Sequence, residues 1–228
     1  MKAIKQETRV KTETSVTFVN HVYMPDGYDP GADTTWPTIL FLHGKDEIGT
    51  PFDILPDGGL HSFVEKNELP FIILEPQCPA GSEWVFQLDA LMSFLEKMSE
   101  QYRIDASRIY LTGLSMGAIG AWHLAIRFPS AFAAVVPISG GTYPFLGYPD
   151  AVTSIKDVPV WTFHGTDDDV LPIALTEILV DTLKKNGGNV INTYYEHTGH
   201  DAWTRTYSNG EIYQWLLKQT KKTVVRKP

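Results

Sequence analysis

Residues 107–121 read SRIYLTGLSMGAIGA. Arg108 to Thr112 is a short β-branched and aromatic run with the character of a buried strand, and Ala118 to Phe128 is rich in helix formers. Ile119, Trp122, His123 and Ile126 fall on one face of that helix. Between the two lies Gly113-Leu114-Ser115-Met116-Gly117, a G-x-S-x-G pentapeptide. A strand running straight into a helix through a serine between two glycines is a nucleophile elbow. So sharp a turn strains the serine backbone, and a side chain two residues to either side would collide with the neighbouring chain. Glycine has no Cβ to collide. The hydroxyl is then held clear of the sheet, where the helix N-terminus directs its free N–H groups. Taken alone, the pentapeptide also fits an ordinary tight turn that carries a serine, so its meaning depends on the rest of the chain.

Outward from the elbow, the pattern alternates strands with helices. Thr38 to Leu42 and Phe71 to Leu74 are continuous apolar runs, as in parallel strands covered on both faces. Residues 131–138, 158–163 and 190–195 continue the series. Residues 14–23 alternate apolar and polar, which predicts a half-exposed strand in an antiparallel edge hairpin. Leu88, Leu91, Met92, Leu95, Met98 and Tyr102 recur at helical spacing. So do Leu175, Ile178, Leu179 and Leu183, then Ile212, Trp215, Leu216 and Gln219. Asn186-Gly187-Gly188 stops the second of these helices. The expected fold is α/β: a mostly parallel, doubly wound sheet with helices on both faces, binding its ligand beyond the C-terminal ends of the strands.

The chain of 228 residues is expected to form one domain, with 1–13 and 221–228 as solvated tails. A net charge of −8 argues against a nucleic-acid partner, and no apolar run approaches membrane-spanning length. The first residues lack the apolar core of a signal peptide, which leaves localisation open. Cys78 is the only cysteine, so neither an internal disulfide nor a cysteine-based zinc site is expected.

A serine nucleophile needs a base, and the base needs an orienting acid. The stretch 160–172, VWTFHGTDDDVLP, is a strand running into an acidic loop. The stretch 194–203, YYEHTGHDAW, follows the next strand and puts a histidine on a glycine-bearing loop. Asp167 and Asp169 compete with Asp168 for the acid, and His197 competes with His200 for the base. Gly199 gives His200 the freer backbone. His43, His164 and His123 read as structural: the first beside the Gly44 loop, the second capping loop carbonyls, the third a core histidine. The three adjacent acids lack the alternating carboxylates of a calcium loop, and no His-x-x-x-His pair exists, so no catalytic metal and no cofactor is expected.

With Leu42-His43-Gly44, Pro76-Gln77-Cys78-Pro79, the elbow, His164-Gly165 through Pro172, and Gly199-His200-Asp201-Ala202-Trp203 in this order, the chain resembles the α/β-hydrolase superfamily. The likeness is to its esterase branch: dienelactone-hydrolase-like, phospholipase/carboxylesterase-like and feruloyl-esterase-like proteins. The Pro-Gln-Cys-Pro and Gly-His-x-x-Trp pieces are closest to a group labelled predicted peptidases or polyhydroxybutyrate-depolymerase-like esterases. True dienelactone hydrolases use a cysteine nucleophile, where this chain has Ser115. The resemblance implies Ser115 as nucleophile, Asp168 as acid and His200 as base, with the backbone N–H groups of Met116 and Lys45 as oxyanion hole. Lys45 departs from the usual small or apolar residue and sets a cation at the rim. The implied activity is that of a serine carboxylesterase acting on a small-molecule ester with a short or aromatic acyl group. A serine peptidase and a non-catalytic module on the same fold are the alternatives. Trp84, Tyr143, Phe145, Tyr148 and Trp203 fall in loops after strands. Packing is the bland role for at least half of them. Trp84, Tyr143, Tyr148 and Trp203 are the candidates for contact with substrate.

Overall fold

The computed structural model describes residues 15–50, 58–142 and 147–221. Seven strands form one sheet: β1 (Asn20–Tyr23), β2 (Trp36–Leu42), β3 (Ile72–Pro76), β4 (Ile104–Leu114), β5 (Ala134–Ile138), β6 (Val160–Gly165) and β7 (Val190–Tyr195). Their order across the sheet is β1-β3-β2-β4-β5-β6-β7. All neighbours are parallel except β1, which runs antiparallel to β3. The antiparallel edge is therefore present, and among the described residues β1 has β3, not a hairpin neighbour, as its partner. Asn20 to Tyr23 pair with Ile73 to Pro76, some fifty residues downstream, because β3 is the edge that the parallel block leaves open.

The continuous apolar runs have a direct explanation in the two cores. Along β2, Leu40 and Leu42 face one side, against α2 (Leu88–Gln101), α3 (Met116–Arg127) and α4 (Ala174–Lys185). Ile39 and Phe41 face the other side, against α1 (Leu60–Val64), α5 (Trp203–Tyr207) and α6 (Gly210–Leu217). Both faces of each central strand are dry, so period-two alternation gives way to an unbroken hydrophobic run. Gly187, at φ +73°, ends α4, and Gly188 returns its N–H to the Leu183 carbonyl at 2.8 Å. His123 is buried in α3, and that burial pushes its imidazole down to about 4.

β4 lies at the centre, and the connections leave it in opposite directions, which opens a crevice at its C-terminal end. There Ser115 takes φ +53° and ψ −119°, a backbone conformation that L residues rarely adopt. The turn also requires its two glycines. A Cβ on Gly117 would land on the Leu42 carbonyl, and a Cβ on Gly113 on the Gly117 carbonyl. Gly117→Ala should accordingly destabilise the fold by at least about 3 kcal/mol, because backbone rather than a movable side chain stands in the way. Gly210→Ala, with nothing within 4 Å of the new methyl, is the control expected to change stability little. Equilibrium urea unfolding of the two variants checks the contrast.

Candidate active site

Four chain segments leave the C-terminal rim of the sheet and converge. Ser115 follows β4 directly. Its N–H donates to the Ile138 carbonyl at 3.0 Å, which fixes the elbow against β5. Asp168 lies three residues beyond β6 and His200 five residues beyond β7. These two loops are stitched together: Thr166 N–H donates to the Tyr195 carbonyl and Asp167 N–H to the Thr198 carbonyl, both at 3.0 Å. The approach is close enough that a Cβ on Gly165 would strike the carbonyls of Thr198 and Gly199.

The result is a continuous hydrogen-bonded chain. His200 Nε2 lies 2.8 Å from Ser115 Oγ, and His200 Nδ1 lies 2.7 Å from Asp168 Oδ2. The carboxylate accepts the hydrogen bond of Nδ1–H, so the Nε2 lone pair faces the serine hydroxyl. Asp168 is itself held in place, since Oδ1 accepts the N–H groups of Val170 and Leu171 at 2.9 Å each. His164 Nε2 approaches Oδ2 from the far side at 3.0 Å and the Leu171 carbonyl at 2.9 Å. Asp167 is instead exposed beside His197, and Asp169 is exposed too. Of the competing acids and histidines, only Asp168 and His200 join Ser115. His197 sits at φ +55°, turned out to solvent.

The loop after β2 forms the opposite wall. His43 Nδ1 donates to the Gly44 carbonyl at 2.7 Å, and His43 Nε2 accepts the Cys78 N–H at 2.9 Å. Burial keeps this imidazole below its ordinary value, in keeping with the neutral form that the two bonds require. Gln77 donates its amide to the Glu47 and Thr50 carbonyls, so Pro-Gln-Cys-Pro serves as a brace for this loop. Glu47 Oε1 accepts the Gly44 N–H at 3.0 Å. That donor is thereby occupied, and Lys45 is the next N–H along the loop. Met116, the first residue of α3, has no carbonyl one turn earlier to accept its own N–H.

Lys45, Ser115, Met116, His200 and Trp203 line a cleft of about 540 Å³. The Trp203 ring stands edge-on to His200, centroids 5.1 Å apart. The other aromatic candidates differ. Trp84 is fully buried, its indole N–H donating to the His43 carbonyl at 2.9 Å, so it supports the loop from behind and cannot reach a substrate. Tyr148 is half-buried against the core under α2 and α3 and does not line the cleft. Tyr143 lies outside the described residues. Glu47 was missed by the sequence reading, although a glutamate three residues after Gly44 is the spacing of a capping box.

Burial alone would raise the Asp168 carboxyl. The hydrogen bond to His200 and the N–H groups of Leu171 and Val170 outweigh it and hold the group below the usual carboxylate range. A folded value below the unfolded one means stabilisation that is complete above about pH 4, the ordinary carboxylate value, and lost as acid titrates the native group. Thermal unfolding between pH 6 and pH 2 should show a shallower acid loss for Asp168→Asn than for the parent. Equal slopes would contradict this electrostatic account.

A family model described as phospholipase/carboxylesterase matches residues 87–212, more than half of the chain. The bifunctional acetylxylan esterase/xylanase XynS20E of Neocallimastix patriciarum is 30% identical over 158 residues, covering 66% of this chain and 21% of that protein. Acyl-protein thioesterase 1 homolog 2 of Dictyostelium discoideum is 26% identical over 164 residues, 70% of this chain and 72% of its own length. Among solved structures, a thermostable esterase superposes with a TM-score of 0.73 at 34% identity, over 88% of this chain and 59% of that one. Elbow, sheet order and these likenesses agree: the chain belongs to the phospholipase/carboxylesterase family of α/β-hydrolase esterases.

Proposed function

We propose that this chain is a serine carboxylesterase that hydrolyses small neutral esters through an acyl-enzyme on Ser115. The observation that carries the reading is the hydrogen-bonded chain Ser115–His200–Asp168, opening on a cleft. As Ser115 Oγ attacks the ester carbonyl carbon, His200 Nε2 takes its proton, and Asp168 stabilises the imidazolium that results. Negative charge develops on the carbonyl oxygen, where the N–H groups of Met116 and Lys45 receive it. The tetrahedral species collapses, His200 returns the proton to the departing alkoxide, and an alcohol leaves. Water then attacks the acyl-serine by the same route, releasing the acid and restoring Ser115.

The lining of the cleft supports a neutral substrate, for which we expect a short acyl group. Among the described residues Asp46, Glu83 and Asp201 line it beside one cation, Lys45, so an anionic ester meets more like charge than opposite charge. One relative named above is an acetylxylan esterase by name, which fits an acetyl group carried on a sugar alcohol. Among the described residues Trp203 is the aromatic side chain that lines the cleft, which supports a contact between it and the substrate.

Ser115→Ala should lower ester hydrolysis by roughly four to six orders of magnitude with unfolding unchanged. Asp168→Asn should cost roughly 10³- to 10⁴-fold, while Asp167→Asn and Asp169→Asn should be mild. A folded Ser115→Ala protein with near-native activity would refute the mechanism. Across nitrophenyl esters, kcat/KM should favour acetyl to butyryl over lauroyl, since each methylene adds about 0.8 kcal/mol only where a groove receives it. Peptide amides should be poor substrates. An optimum at twelve carbons or beyond would overturn the substrate class and leave the mechanism standing.

A further inference from the structure

Behind the Lys45 loop, three side chains from three separate elements meet in the interior. Glu47 ends the 3-10 turn after β2, His61 lies in α1, and Glu75 lies in β3. Their residues are 4%, 5% and 0% exposed. His61 Nδ1 stands 3.3 Å from Glu75 Oε1 and 4.0 Å from Glu47 Oε2, and one donor atom from each residue lies within 4.8 Å of the others.

Two buried carboxylates demand compensation, and the hydrogen bonds around them supply only part of it. The Tyr23 phenol is set against Glu75 as a donor, while no well-formed hydrogen bond closes on Oε2 of Glu47 or on either Glu75 oxygen among the described residues. Asp168, by contrast, accepts a bond on each oxygen. Shared protons would draw these atoms to about 2.6–2.9 Å. The spacings here are wider. Two atoms each about 2.0–2.2 Å from a tetrahedral metal stand about 3.3–3.6 Å apart. The His61–Glu75 pair meets this at 3.3 Å, while Glu47, at 4.0 Å from His61, must draw in to join them. A divalent charge cancels both carboxylates, and an imidazole nitrogen in the set favours the zinc class over calcium or magnesium, which prefer oxygen alone.

We propose that Glu47, His61 and Glu75 form a buried three-ligand site for a divalent cation, Zn²⁺ by the chemistry of its donors, which anchors the loop that carries Lys45. Through Glu47, whose other oxygen holds the Gly44 N–H, the ion fixes the backbone next to Lys45 from the side away from the substrate. It takes no part in bond breaking. Only this consequence for the loop rests on the esterase reading; binding of the ion does not. The three ligands are 14 residues apart in each interval, so no short motif marks them.

The test is metal content and thermal unfolding, neither of which depends on activity. Protein purified without added chelator should contain about one zinc per chain. After dialysis against EDTA its Tm should fall, and ZnCl2 in about 100-fold excess over Kd should restore roughly 5–10 °C, with Mg²⁺ and Ca²⁺ ineffective. Glu75→Gln and His61→Ala should abolish the zinc-dependent shift. A shift that persists in both variants would place the ion elsewhere and overturn the assignment. A parent protein with no bound metal and a Tm indifferent to EDTA, zinc and manganese would overturn it outright, whether or not the variants fold.

Discussion

The contact on which the site depends is between two pieces of backbone. The carbonyl of Leu42, at the end of β2, packs against Gly117 in the first turn of α3, with no room for a single methyl group. The strand and the helix are locked together there, and Ser115 is lifted at φ +53° between them. The same contact brings Gly44 alongside, since a Cβ on Gly44 would come within 3.8 Å of the Ser115 Cβ. Lys45 and Met116, from different elements, therefore line the same cleft as Ser115. The strain of a non-glycine residue at positive φ is borne by the packing around it: α3 is buried on nearly every side, and the Ile138 carbonyl secures the Ser115 N–H.

A second close approach governs the other half of the site. Gly165 lets the loop after β7 lie against the end of β6, and cross-loop bonds from Thr166 and Asp167 fix its height. His200 is held by this scaffold rather than by its own loop alone, and Asp168 is fixed by two N–H groups and two imidazoles. In the proposed mechanism a proton passes between atoms 2.8 Å apart, a step that tolerates little displacement and that rigid backbone stitching suits. Both close approaches use glycine for the same reason: the partner is a carbonyl that cannot move aside.

Where sequence and structure agree, the signal was local. Strand β4, the elbow and helix α3 are one uninterrupted stretch whose residues each carry a geometric requirement, and the alternation of apolar runs with helical spacing set the sheet. Asp168 and His200, which the structure brings to Ser115, stood out because each lies on a loop just after a strand, with Gly165 at the start of one loop and Gly199 within the other. Where the reading failed, the information was held in contacts between distant segments. Nothing within residues 14–23 shows that Asn20–Tyr23 pair with β3, and nothing in the Trp84 loop shows that this indole turns inward to the His43 carbonyl. Helices α1 and α5, five residues each, are too short to display a period. Glu47, His61 and Glu75 come together only when β2, β3 and α1 pack.

The most direct test of the account is covalent trapping. A small alkyl fluorophosphonate places a tetrahedral phosphorus where the ester carbonyl would react, and it labels a serine only when a base and an oxyanion site act on it together. Intact-mass measurement after incubation should show one adduct per chain, mapping to the peptide that contains Ser115, with labelling slowed by orders of magnitude in His200→Ala. No adduct on the folded protein, or an adduct on any other residue, would contradict the claim that Ser115 is an activated nucleophile.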